Sequence, residues 1–319
     1  MRNYPCLPSA LPFLALFNNI FLALFLLPVF IIIGENHSGV ITVKYNRILT
    51  IQDISCVGQC SMTVALPILS ACGQETAILP SAVLSTHTCG FSFPTVRDLT
   101  EDFPGIQAHW QKEAIAFDAI YTGYLGSTQQ IAYVANIFEN TLRAGGKTIV
   151  DPAMADNGKL YPAFDQAYVD AMRGLCVKAD VILPNITEAC MLAGVKYRET
   201  YDKAYVDALL EKLHNLGCGC VVLTGVGYRP GETGVLISDH GQQSYYSHAY
   251  IGKGFHGTGD AFASAFVGAW MGGKTMAEAA KIAADFICLC IRNTMDDETH
   301  WYGVKFETAL PGLIAALYA

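Results

Sequence analysis

From residue 47 onward, short runs of aliphatic and β-branched residues alternate with longer runs of helical apolar spacing. Nearly every short run ends on a small or polar residue. Arg47-Ile48-Leu49-Thr50-Ile51-Gln52 reads as a buried strand, and Ser61 to Ala71 as a helix stopped at Gly73. Glu75 to Leu79 reads as a second strand, and the Ser-, Thr-, Gly- and Pro-rich stretch 85–105 as loop and lid. Ala119-Ile120-Tyr121 runs into Thr122-Gly123, and a helix over 128–143 is expected to end at Gly145-Gly146. Lys147 to Val150 then delivers Asp151, Val181 to Leu183 delivers Pro184-Asn185, and Cys220 to Leu223 delivers Thr224-Gly225. A late strand over Tyr245 to Ile251 precedes a glycine-rich turn and helices at Ala261 to Met271 and Met276 to Thr294. This rhythm predicts an α/β fold, a mostly parallel central sheet with helices on both faces. Ligands of such sheets sit beyond the carboxyl ends of the strands, where the polar residues just named lie.

Hydrophobic residues make up 52% of the chain and charged residues 15%, so there is ample apolar surface to bury and disorder is excluded as a general state. The formal net charge of -8, with no Lys/Arg cluster, argues against nucleic acid as a partner. The 11 cysteines are odd in number and lack the two-residue spacing of zinc knuckles or redox motifs. They read as free, mostly buried thiols of a reducing compartment.

The N-terminus breaks this pattern. Residues 11–33 (LPFLALFNNIFLALFLLPVFIII) form an uncharged stretch of 23 residues, long enough to span a bilayer, interrupted by Asn18-Asn19 and two prolines. With Arg2 the only preceding positive charge, an anchor there would leave the main domain outside the cytoplasm. The expected division is therefore an apolar extension over 1–44 and one catalytic domain over 45–319. The extension is read as translated upstream sequence, with a natural start near Val40 or Val43. A cytoplasmic location is expected for the domain, and the segment leaves membrane association open.

Gly254, Gly257 and Gly259 cluster just before an apolar helix lined with Ala261, Ala263, Ser264, Ala265 and Gly268. Glycines allow backbone N–H groups to approach an anion, and the positive end of the helix dipole faces the same place. Asp260 sets a carboxylate there, where a base could take a proton from an attacking hydroxyl. The same residues also fit a simpler arrangement, an Asp N-cap after a glycine turn. Neither a Walker loop nor a dinucleotide fingerprint occurs.

Five separated segments, ILTIQDISCVGQCS, VLSTHT, YTGYLGS, VDPAM with PNITEA, and GFHGTGDAFASAF, occur in one order and spacing. In them the chain from about residue 47 to 319 resembles the ribokinase-like superfamily, and within it the pyridoxal/pyridoxamine kinases. The resemblance implies a three-layer sandwich in which Mg-ATP phosphorylates the hydroxymethyl group of pyridoxal, pyridoxamine or pyridoxine, in vitamin B6 salvage. It casts Asp260 as general base and the amides of Gly257, Thr258 and Gly259 as the anion hole. Asp151 matches a residue near the phosphates and Mg2+, and Glu188 of Asn185-Ile186-Thr187-Glu188 one that organises Mg2+ through water. Leu183, Asn185 and Thr224 match nucleotide-side positions, and His87 and Thr88 the loop beside the pyridine ring. A homodimer is implied, and a K+ requirement is left open.

One position departs from the family pattern. Asp53 stands where many pyridoxal kinases have a serine that contacts the ring. An aspartate there could accept a hydrogen bond from a protonated ring nitrogen or an amino group. Hydroxymethylpyrimidine kinases of thiamine synthesis, which act on a similar hydroxymethyl group, are the nearest alternative. A homologue that binds ligand without catalysis is a further one. His109, His256, Cys89 and Lys253 read as loop or surface residues, with His256 and Lys253 beside the phosphate turn.

Overall fold

The computed structural model describes residues 44–239, 241–252 and 254–319. The apolar segment 11–33, the start near Val40 or Val43 and Lys253 lie outside the described residues. Among those described, no helix is long and apolar enough to cross a membrane.

Eleven strands and nine α-helices make up the described residues. The strands are β1 (Arg47–Ser55), β2 (Glu75–Leu84), β3 (Val96–Asp98), β4 (Phe117–Thr122), β5 (Leu142–Val150), β6 (Ala155–Asp156), β7 (Lys159–Leu160), β8 (Val181–Ile182), β9 (Cys220–Thr224), β10 (Glu232–Asp239) and β11 (Gln242–Ala249). The helices are α1 (Met62–Ala71), α2 (Phe103–Lys112), α3 (Thr128–Thr141), α4 (Gln166–Val177), α5 (Ile186–Ala193), α6 (Lys203–Asn215), α7 (Thr258–Met271), α8 (Met276–Thr294) and α9 (Leu310–Tyr318).

Nine strands form one sheet in the order β11-β10-β9-β8-β5-β4-β1-β2-β3. The six from β9 to β2 run parallel, and β10, β11 and β3 are antiparallel additions at the edges. A small hairpin of β6 and β7 stands apart.

Alternation along the strands sorts side chains into two cores. Ile48, Ala119, Tyr121, Ile149, Val181 and Val222 pack with α1, α7, α8 and α9 on one face. Leu49, Ile51, Ile120, Val150, Ile182 and Leu223 pack with α2 to α6 on the other. Helices thus cover both faces, which gives the expected three-layer sandwich.

The parallel register is what builds the site. Ile51 pairs with Thr122, Thr122 with Val150, Val150 with Ile182 and Ile182 with Val221. Strand ends therefore line up, and the residues that follow them emerge along one edge of the sheet.

Several sequence-based boundaries shift. Helix α7 begins at Thr258, not at Asp260 or Ala261, because Gly257 with φ 76° serves as its N-cap. Gly145-Gly146 does not stop a helix: α3 ends at Thr141, the chain turns extended at Leu142, and both glycines lie inside β5. The stretch 85–105 is a loop only to Thr95; β3, a 3-10 turn over Thr100–Asp102 and the start of α2 at Phe103 follow. The antiparallel β10 was not anticipated, and β11 pairs with it along its whole length.

Candidate active site

The first i→i−4 bond of α7 runs from the Ala261 amide to the Gly257 carbonyl, 2.9 Å. The amides of Thr258, Gly259 and Asp260 come before that bond and belong to the turn. A Cβ added at Gly257 would lie 1.8 Å from the Gln59 carbonyl oxygen. Glycine is thus required twice at this position, by the positive φ and by the close approach of the loop after β1. The Thr258 hydroxyl donates to the Phe255 carbonyl at 3.1 Å, and the Ser264 hydroxyl to the Asp260 carbonyl at 2.6 Å, bracing the turn from both sides.

Asp260 is not the helix cap. It sits three residues past Gly257, in the first turn of α7. Burial pushes its pKa up to about 6, the Ser61 backbone opposes the shift, and the negative charge of Asp53 adds to it. Such a carboxylate is ionised at neutral pH yet basic enough to accept a proton. Ser61 itself has φ 54° and ψ −129°, a strained conformation for a residue with a Cβ, costing on the order of 1–3 kcal/mol.

Asp151 follows β5, with its amide bonded to the Thr122 carbonyl at 2.9 Å and its side chain buried. Burial raises its pKa well above the usual range, and the charges of Glu188 and Asp260 raise it further. Glu188 closes a capping box with Asn185 at the start of α5. Its Oε2 accepts from the Asn185 amide at 2.9 Å, and its Oε1 from the amides of Met154 at 3.0 Å and Ala155 at 3.4 Å. Burial still lifts Glu188 to about 7. Asn185 spends its side chain on the same turn, accepting from the Glu188 amide and donating to the Ala155 carbonyl, each at 2.9 Å. Leu183 is buried beside it, bonded through its amide to the Val150 carbonyl. Thr224 ends β9 and forms a parallel bridge with Asn185.

The charges of Glu188 and Asp260 both act on Asp151, which leaves its carboxylate short of positive charge. Hard oxygen donors in that state fit Mg2+, which takes one or two carboxylates and completes its shell with phosphate and water. Asp151 has the freer oxygens. Glu188, with both oxygens already accepting amides, fits a role through water.

Asp53 is buried as well, and its carboxylate accepts from the Ser55 hydroxyl at 3.1 Å. Burial raises its pKa, and the side chains of Ser61 and Ser55 and the nearby His87 counteract the rise. His87 is buried with both ring nitrogens engaged: Nδ1 accepts from the Cys89 amide at 3.2 Å and Nε2 bonds the Tyr302 carbonyl at 2.8 Å. It fastens the loop that carries Cys89, and both ring nitrogens are engaged within the protein. Its ring lies 5.0 Å from Phe91 and 5.4 Å from His256. Thr88 and Cys89 are exposed on the same loop.

Sequence reading missed Ser61, Gln59, Tyr124, Trp301 and Tyr302. Tyr124 feels the charge of Asp53, and Trp301 packs 4.6 Å from Phe91. The Gln59 side chain bonds His300 at 2.8 Å and Glu307 at 2.7 Å, tying the loop after β1 to the C-terminal region. Gln59 and Ser61 lie in the segment ILTIQDISCVGQCS and Tyr124 in YTGYLGS, whereas Trp301 and Tyr302 fall in none of the five segments. Such links span more than 200 residues and leave no local pattern.

The family model for phosphomethylpyrimidine kinase matches residues 69–304. The chain belongs to this family. Among curated relatives it is 27% identical over 223 residues to the hydroxymethylpyrimidine/phosphomethylpyrimidine kinase of Bacillus subtilis, covering 69% of this chain and 78% of that one. It is 31% identical over 188 residues to the pyridoxine kinase of the same organism, covering 57% and 66%. Among solved structures, a putative phosphomethylpyrimidine kinase from Bacteroides thetaiotaomicron, crystallised with pyridoxal, aligns with TM-score 0.80 and 35% identity over 85% of this chain and 96% of its own. Pyridoxal kinase from Lactobacillus plantarum aligns with TM-score 0.78 and 34% identity over 85% and 97%. The ribokinase-like fold and a kinase activity of the pyridoxal/phosphomethylpyrimidine kinase type follow from family membership.

Proposed function

We propose that this kinase transfers the γ-phosphoryl of Mg-ATP to the hydroxymethyl group of pyridoxal, pyridoxamine or pyridoxine, with Asp260 as general base. The observation that carries the reading is Asp260 itself. It is a carboxylate in the first turn of α7, directly after Gly257-Thr258-Gly259, and burial lifts it to about 6. The hydroxymethyl oxygen attacks phosphorus while its proton passes to the Asp260 carboxylate. The amides of Gly257, Thr258 and Gly259 offset charge on the transferring group. Asp151, with Glu188 behind a water, would hold Mg2+, which supplies charge neutralisation on the nucleotide phosphates. Leu183, Asn185 and Thr224 line the nucleotide side, Asn185 by fixing the turn that carries Glu188. Asp53, His87 and Thr88 face the ring. The similarity to a relative crystallised with pyridoxal supports a B6 vitamer.

The second reading is phosphorylation of a hydroxymethylpyrimidine, favoured by the family description and the Bacillus subtilis relative of that activity. ADP release with pyridoxal, pyridoxamine, pyridoxine and hydroxymethylpyrimidine distinguishes the readings. Highest kcat/KM on a vitamer is expected, highest kcat/KM on the pyrimidine overturns that choice, and no release with any of them leaves a ligand-binding homologue.

The acidic cluster also predicts a metal effect on stability. Asp260 and Glu188 bind protons more tightly in the folded chain than in the unfolded one. Their contribution is therefore present at low pH and lost as pH rises through about 6 and about 7. A dication relieves that loss. Mg2+ with ADP is expected to raise Tm more at pH 8 than at pH 5.5, and Asp151→Asn to remove most of the difference. Equal shifts at the two pH values in a thermal melt would count against a metal at this cluster.

A further inference from the structure

The loop after β1 meets three distant segments at Gln59. Its carbonyl oxygen lies against Gly257, so close that a Cβ there would be 1.8 Å away. Its amide donates to the Tyr302 carbonyl at 3.3 Å, and the same carbonyl accepts from His87 Nε2 at 2.8 Å. A Cβ at Gly303 would lie 2.5 Å from Gln59 Cβ, and one at Gly58 would lie 2.2 Å from His87 Cδ2. The loop is thus wedged between the α7 turn, the loop that carries His87 and the C-terminal segment 300–303. Packing this close passes a displacement on rather than absorbing it.

The Gln59 side chain carries the remaining anchor. Its Nε2 donates to both oxygens of Glu307, at 2.7 and 2.9 Å, and its Oε1 accepts from His300 Nε2 at 2.8 Å. A carboxylate takes only donors, which sets the amide this way round. Glu307 lies in a 3-10 turn, Phe306–Thr308, whose Phe306 is buried in the core with α7 and α8. The carboxylate is therefore attached to a fixed point. Glu307 itself is exposed, so losing its bond is expected to shift the loop more than it lowers Tm.

We propose that Gln59 is a positioning residue through which the C-terminal segment fixes the phosphoryl-transfer turn at Gly257. The inference deepens the kinase reading above and rests on it. Transfer tolerates little movement of that turn, since about 1 Å of misplacement costs about 10²-fold in rate.

The test exchanges the two side chains in the full chain and reads kcat, KM and Tm, with whichever of the four alcohols the wild type phosphorylates. Gln59→Glu sets a carboxylate against Glu307. It is expected to lower kcat about tenfold, the scale of one hydrogen bond to a charged group, with KM for ATP within about twofold. Adding Glu307→Gln lets an amide at 307 donate to the carboxylate at 59, and kcat is expected to return to within about twofold of wild type. A merely structural bond would lower Tm in Gln59→Glu, restore it in the exchange and leave kcat in place throughout. An unchanged kcat in Gln59→Glu, or a loss that the exchange does not repair, overturns the inference. Should Gln59→Glu fail to fold, Glu307→Ala decides, because it leaves the loop sequence intact. A kcat loss of about threefold or more then supports the proposal, and wild-type kcat overturns it. A wild type that phosphorylates none of the four alcohols defeats the functional reading itself. An active wild type with an indifferent Gln59→Glu variant defeats this inference alone.

Discussion

Asp260→Asn is expected to lower kcat by about 10²- to 10⁴-fold, the usual worth of a positioned base. Asparagine keeps the size of the side chain and one of its oxygens, so the turn and nucleotide binding should survive. The substitution also removes a charge that burial disfavours, so Tm at pH 8 should not fall. In the wild type, kcat/KM should decline as pH drops below about 6, because protonated Asp260 cannot accept the substrate proton. The variant should lose that limb. Steady-state kinetics of ADP release across pH, with calorimetric titration of ADP, makes the check. Turnover within tenfold of wild type would remove Asp260 from the base role.

Gly257→Ala is expected to be nearly as damaging through a different cause. The added methyl carbon would sit 1.8 Å from the Gln59 carbonyl oxygen, so the α7 turn and the loop after β1 must separate. Displacement of catalytic groups by about 1 Å costs about 10²-fold in rate. The positive φ alone adds about 1–2 kcal/mol of instability for alanine. Lower kcat together with lower Tm is the expected signature, which separates this variant from Asp260→Asn. Gly174→Ala on α4 is the control, since a Cβ there meets nothing within 4 Å. A Gly257→Ala protein with wild-type Tm would show that the loop yields freely.

The layered fold was legible because it is written in local patterns. Short continuous buried runs in β1, β4 and β9, helical spacing in α1 and α8, and glycines at Gly73 and Gly257 all act within a few residues. The Gly-Thr-Gly-Asp turn and the acids after β5 and β8 were legible for the same reason. Boundaries failed where tertiary contacts outweighed local preference. Gly145 and Gly146 look like a helix stop, yet the chain turns extended at Leu142 and carries both inside β5, in the register break between Leu142 and Lys147, which each pair with β4. The antiparallel β10 was missed because its partners, β9 and β11, are fixed by pairing rather than by periodicity.

By itself the sequence determined that a carboxylate would stand at the glycine turn and that other acids would gather at aligned strand ends. Residue type and spacing are enough for that. Only the tertiary structure decided what those groups can do. It made Gly257 rather than Asp260 the helix cap, turned Glu188 into the closing residue of a capping box, and engaged both nitrogens of His87. It also brought Asp53 near enough to Asp260 for its charge to act there. A pKa and a free lone pair depend on what surrounds an atom in three dimensions, and those neighbours come from strands and loops far apart in the chain.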